Sequence, residues 1–222
     1  MARSKAKEPG THELLYQALE TELGGARIYQ AALYCAIDQG LHDEWEHDYR
    51  QTPHHQDVLR SVFRSLGLDE QTQKAGRRAV METGKSLVDA IEPAKQNTAP
   101  AVAQIVAAEC VVLAETKDHP NRALTGCAAD RLSGDAARVL KEAHDEVEAD
   151  EDHHLYHTRG WAREMWLQSM GFEAVLPRPE EGRDVASAAD AAKAERAPQD
   201  DVRRAAETGR RRGGGAGRGA DG

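Results

Sequence analysis

Apolar residues recur every three or four positions along most of the first 170 residues, the spacing that gathers them on one face of an α-helix. Leu15, Leu19, Ala26, Tyr29, Leu33 and Ile37 form the first such stripe. Thr11 offers a cap before it and Gln39-Gly40 a stop after it, which predicts a helix over 11–38. A second helix is predicted over 41–66, ended by Gly67 and kinked or restarted at Pro53. A shorter helix is expected over 77–95. A third long helix starts near Pro100, with Pro120 expected to break or bend it. The fourth spans 133–170 and stops at Gly171. The first two long helices are joined by a few residues and so should be antiparallel neighbours. About 30 residues separate the second and third long helices, enough to return along a bundle, so the pattern predicts an all-α four-helix bundle with one long crossover that contains the short helix.

Composition agrees with helices. The 222 residues are 40% hydrophobic, 30% charged and only 5% aromatic, which disfavours a β-sandwich or barrel. From Arg178 onward the chain turns Ala-, Gly- and Arg-rich and holds too few apolar residues for a core. The expected organisation is a flexible N-terminus over 1–10, a bundle over 11–176 and a disordered polar tail over 177–222. No apolar run approaches the roughly 20 residues of a bilayer span, and the basic start lacks the apolar stretch of a secretory signal. Three cysteines without a CxxC pair suit a reducing cytoplasm better than a disulfide framework. The net charge of −9 lies in the body rather than the tail and makes nucleic acid an unexpected partner.

The informative residues are ionisable groups that fall inside the apolar stripes. Glu22 is central on the first helix. On the second, the stripe through Asp48, Gln51 or Thr52, Val58 and Val62 passes through His55, with His54 on the boundary. On the third long helix a stripe of Val102, Ile105, Val112 and Leu113 centres on Glu109, while Glu115 and His119 form an i, i+4 pair on the flank. On the fourth, Leu140, Val147 and Trp161 align with His144, Glu151 and His154; Asp150 and His153 repeat the Glu151–His154 spacing but point outward. Carboxylates in a bundle core are costly unless paired or bound to a metal. Carboxylates joined by imidazoles suit iron or manganese, one ion or two. The expected ligands are therefore Glu22, His55, Glu109, Glu151 and His154. Asp48, Gln51, Thr52, Glu115, His119 and His144 are candidates for supporting them or relaying protons. Tyr29 is a candidate hydrogen-bond donor beside Glu22, although packing alone accounts for it.

The segments LETELGGARIYQAAL, AAECVV and DEDHHLYH resemble the first, third and fourth bundle helices of the ferritin-like, rubrerythrin-like superfamily over residues 11–171. That resemblance implies a ferritin-like bundle, carboxylate-bridged metal with Glu22, Glu109, Glu151 and His154 among its ligands, reaction with oxygen or peroxide, and a homodimer. The second helix departs from the superfamily's usual E-x-x-H. Thr52 stands three residues before His55, and Gln51 three before His54. One carboxylate is thus missing there, Asp48 being a candidate replacement. The expected function is an iron- or manganese-dependent oxidoreductase. The alternatives are a non-enzymatic stress or partner-binding protein with a structural or lost metal site, and iron storage, which requires a cage.

Overall fold

The computed structural model describes residues 8–174. The expected tail, and all but the last few residues of the expected flexible N-terminus, lie outside them. The described residues form five helices and no strand: α1 (Glu8–Leu33), α2 (Gln39–Leu66), α3 (Ala75–Asn97), α4 (Pro100–Arg131) and α5 (Asp135–Ser169).

Side-chain pairs fix the directions of the long helices. Partners on α2 descend as those on α1 ascend: Tyr16 meets Phe63, Glu22 meets His55 and Tyr29 meets Asp48, so the two are antiparallel. The same test makes α4 antiparallel to α1 through Thr21–Asn121 and Tyr29–Glu115. It makes α5 antiparallel to α4 through Glu109–Trp166, His119–Asp152 and Arg122–Glu151. It makes α5 antiparallel to α2 through Glu44–Trp161 and Gln51–His154. The bundle therefore runs α1, α2, α5, α4 around its axis, with every neighbour antiparallel. The α2-to-α4 link crosses it, as the loop lengths predict.

The crossover helix α3 packs outside, against α1 and α4, and runs parallel to α1, with Gly76 beside Gln17 and Gly84 beside Gly24. Buried Arg77 pins it. Its Nε donates to Glu20 Oε2 at 2.9 Å, and its Nη1 donates to the Glu70 and Thr72 carbonyls. A Cβ built on Gly24 would lie 3.8 Å from the Gly84 Cα, so glycine at both positions lets α1 and α3 approach closely.

Helix boundaries differ from the sequence pattern where capping decides them. α1 begins at Glu8, inside the expected flexible segment, and ends at Leu33 rather than near Asp38. Asp38 is instead the N-cap of α2: its backbone is extended and its Oδ1 accepts the Leu41 N–H at 3.1 Å. Buried Gln104 accepts the Ile37 and Asp38 N–H groups, which holds that turn in place. Ile37, expected on the apolar stripe, is consequently exposed. Pro120 breaks nothing, because α4 continues to Arg131. Pro53, Pro93 and Pro120 all lie on exposed positions, where the carbonyls their rings leave unbonded are open to solvent.

Gly25 faces open space, with nothing within 4 Å of an added Cβ. Gly25→Ala should therefore stabilise the bundle by about 1 kcal/mol, raising the melting temperature by roughly 2–4 °C. An unchanged or lower melting temperature in calorimetry would contradict this reading.

Candidate functional site

Two apolar layers close the ends of the bundle. One contains Ile28, Leu41, Trp45, Ala107, Val111, Trp161 and Met165; the other contains Leu15, Leu19, Val62, Phe63, Leu140 and Val147. Between them lies a buried polar layer to which each long helix contributes. α1 supplies Glu22; α2 supplies Asp48, Thr52 and His55; α4 supplies Glu115, Asp118 and Arg122; α5 supplies Glu151, His154 and Thr158.

The contacts are dense. His55 Nδ1 lies 2.9 Å from Glu151 Oε1 and 3.5 Å from Glu22 Oε1, and its Nε2 lies 3.3 Å from Asp150 Oδ2. Arg122 Nη2 is 2.5 Å from Glu151 Oε1 and 3.9 Å from Glu22 Oε1. The Tyr29 hydroxyl, at the edge of the layer, donates to Glu115 Oε1 at 2.8 Å and is 3.4 Å from Asp48 Oδ2. His154 Nε2 is 2.8 Å from Gln51 Oε1 and 3.6 Å from Asp48 Oδ1. Two fully buried groups of three offer ligand atoms within 4.8 Å of one another: His55, Glu151 and His154, and Glu22, Asp118 and Glu151. They share Glu151.

Burial sets the electrostatics. It pushes Asp48, Glu115 and Asp118 well above the ordinary carboxylic acid range, and it raises Glu22 against the opposing hydrogen bond from His55. Glu151 goes the other way. Burial would raise it, but Arg122 and His55 together hold it below the usual range. His55 is pushed up to about 10, because its contacts with Glu151 and Glu22 outweigh the burial that would lower it. Burial lowers His154 to about 3, so it is neutral at pH 7. Glu151 is thus matched by one guanidinium and one imidazolium, while burial favours the protonated forms of Asp48, Glu115 and Asp118. Glu22 Oε1, Asp48 Oδ1 and both Glu151 oxygens are buried with no aligned hydrogen bond. Such a layer has donor atoms to spare, and its residues fit a cation that enters in exchange for protons on the raised acids.

Four of the five expected ligands meet here: Glu22, His55, Glu151 and His154. Of the two α2 histidines it is His55 that enters the core. His54 is exposed and pairs with Glu146 at 3.3 Å. The fifth expectation is corrected. Glu109 is exposed and accepts a hydrogen bond from Trp166 Nε1 at 3.0 Å. The inner face of α4 carries Ala107, Val111, Ala114, Glu115, Asp118 and Thr125, whereas Val102, Leu113 and Leu124 are exposed. Small alanines line the close packing, so the larger apolar residues mark the wrong face.

The supporting candidates divide similarly. Glu115 is not a flank residue paired with His119 but a buried partner of Tyr29, and His119 instead faces Asp152 at 2.9 Å. Asp48, one turn before Thr52, is the buried carboxyl group that α2 contributes to the layer. Thr52 bonds the Asp48 carbonyl at 3.2 Å, and Gln51 holds His154. His144 lies beside Gly126, where an added Cβ would touch its ring, and lines a cavity of about 30 Å³ with Glu22, His55 and Asp118. Asp150, expected on the solvated face, is partly buried against His55. The sequence reading missed Asp118 and Arg122. Both become visible once the α4 stripe is drawn through the alanines, since Glu115, Asp118 and Arg122 then follow one another on the inner face.

No protein-family model, curated protein or solved structure matches the chain.

With no cation bound, stability should fall as pH rises above about 6.5. His55 has a raised pKa, so its contribution is complete below its unfolded value of 6.5 and is lost as pH climbs through 10. The raised Asp48, Glu115 and Asp118 act in the same direction. His154 is lowered, so its contribution is complete above 6.5 and flat in this window. A loss on the order of 2 kcal/mol by pH 8.5 is expected, read as a melting-temperature drop of about 5 °C. A flat profile from pH 6.5 to 8.5 in chelator-treated protein would contradict this assignment.

Proposed function

We propose that the protein is a ferritin-like, metal-dependent oxidoreductase that binds iron or manganese in the polar layer and acts on oxygen or peroxide. One observation carries the reading. Five buried carboxyl groups, Glu22, Asp48, Glu115, Asp118 and Glu151, converge from four helices with His55 and His154, several of their oxygens lacking aligned hydrogen bonds. The antiparallel order α1, α2, α5, α4 with one long crossover is the arrangement expected of that bundle class. When bound, iron or manganese supplies one-electron chemistry and activates a small oxidant.

The chain's own residues divide the remaining work. His55, Glu151 and His154, with Glu22 and Asp118, are the residues that would hold an ion. Asp48 supplies the carboxylate that α2 lacks at position 52. Tyr29 orients Glu115 and offers a proton at its hydroxyl. Arg122 balances Glu151 and so sets how much further positive charge the layer takes. The two apolar layers exclude water from the ends.

Space in the layer suits a small oxidant. A cavity of about 10 Å³ touches Glu22, Glu115, Asp118, Glu151 and His154, which is room for a molecule of water's size. A neighbouring apolar cavity of about 130 Å³ lies between α1, α3 and α4 and shares Thr21, Gly25 and Ala114 with the first. It gives oxygen an apolar approach. Three free thiols, two of them buried, suit the reducing cytoplasm. No helix of the described residues is long and apolar enough to cross a membrane.

A second reading is favoured by Arg122. Its guanidinium sits 2.5 Å from Glu151 and could serve as the resident cation of a non-enzymatic bundle. Anaerobic reconstitution with ferrous or manganous ion, followed by elemental analysis, separates the two. The proposal expects bound metal in the native protein and turnover with oxygen or peroxide. Glu151→Gln should lower turnover by about 100-fold or more, while Glu109→Gln should leave metal content and turnover unchanged. Metal bound only after Arg122→Ala, and none before it, would favour the second reading and overturn the first.

A further inference from the structure

A separate cluster lies on the solvent side of the α2–α5 interface, one turn along each helix from the polar layer. His153 and His157 stand at i, i+4 on α5, so both imidazoles lie on one face. Their rings are 3.8 Å apart between centroids and tilted by only 31°. Glu44 faces them from α2, its Oε1 lying 3.5 Å from His157 Nδ1. Its other oxygen, Oε2, accepts a hydrogen bond from Trp161 Nε1 at 3.1 Å, which turns Oε1 toward the histidines. Glu44, His153 and His157 offer ligand atoms within 4.8 Å of one another, and all three are half-buried.

A second observation points to a ligand. Asp48 is one turn beyond Glu44 on the same helix and is wholly buried. Its Oδ1 has no aligned hydrogen bond and lies 4.0 Å from His153 Nε2. His157 Nδ1 is also buried without an aligned hydrogen bond. The ion-pair distances of 3.5–4.0 Å at these atoms leave both without an aligned hydrogen bond. A divalent ion held by Glu44, His153 and His157 would give His157 Nδ1 the partner it lacks.

We propose that Glu44, His153 and His157 form a second divalent-cation site, distinct from the layer in the core and open to solvent. Two imidazoles and one carboxylate form a site for a borderline transition ion such as Zn²⁺ or Co²⁺, not for Ca²⁺ or Mg²⁺, which take all-oxygen shells. The half-exposed His153 leaves a coordination position for water. Asp48 stands between the sites, because the same Oδ1 lies 3.6 Å from His154 Nε2. None of the three ligands of the outer site, Glu44, His153 and His157, is among the residues proposed to hold metal in the core.

Titration of the full chain with Zn²⁺ by calorimetry, at pH 7, tests this. The wild type should show a binding event that His153→Ala and His157→Ala each weaken by about 100-fold or more. Glu151→Gln, which disables the core layer, should leave that event in place. The two proposals thus fail separately. Should the alanine variants lose their folds, nitrogen-15 imidazole spectra of the wild type decide the matter. Zn²⁺ at one equivalent should shift the His153 and His157 ring resonances. Variants that fold and titrate like the wild type, or ring resonances that do not move, would overturn the proposal.

Discussion

The arrangement of this molecule depends on the contact between His55, Glu151 and Arg122. Glu151 is 1% exposed and has a guanidinium on one side and an imidazole on the other. An unpaired carboxylate at that depth would cost several kcal/mol. The pairing lets an ionised group sit in the middle of a helical bundle, and the other acids are arranged around it. Because α2, α4 and α5 each contribute one of the three residues, the contact also sets the rotation of those helices about their axes.

The remaining acids in the layer make the site chemically unbalanced. Asp48, Glu115 and Asp118 have no guanidinium of their own, and burial favours their protonated forms. A protein built only for stability would replace such a layer with leucine and valine, which pack the same volume without desolvating charge. Its position between two apolar layers is the physical basis of the proposal that protons would be exchanged there for a metal ion. Tyr29 ties α1 to both Asp48 and Glu115, so a change of charge at either acid is felt on three helices.

Much of this was legible in the sequence, and the exceptions have physical causes. The five helices, their order and the crossover followed from periodicity and loop length. Glu22, His55, Glu151 and His154 followed from polar residues on strongly apolar stripes. α4 is different, because it is apolar on nearly every side. Its buried face is built from alanines at close helix contacts, while Leu113 and Leu124 lie on its exposed side. Size therefore pointed to Glu109 and concealed Glu115 and Asp118. Arg122 was hidden for another reason: arginine is expected at the surface, and only its partner Glu151 explains its burial. The end of α1 was misplaced because Asp38 caps the following helix, which its apolar neighbours do not reveal.

The most direct test of the central claim is X-ray diffraction from crystals grown with ferrous or manganous ion, collected at the metal's absorption edge. An anomalous peak within ligand distance of His55, Glu151 and His154, with Asp118 or Glu22 completing the shell, is the expected result. A map with no anomalous peak in the polar layer, and Arg122 still paired with Glu151, would contradict it.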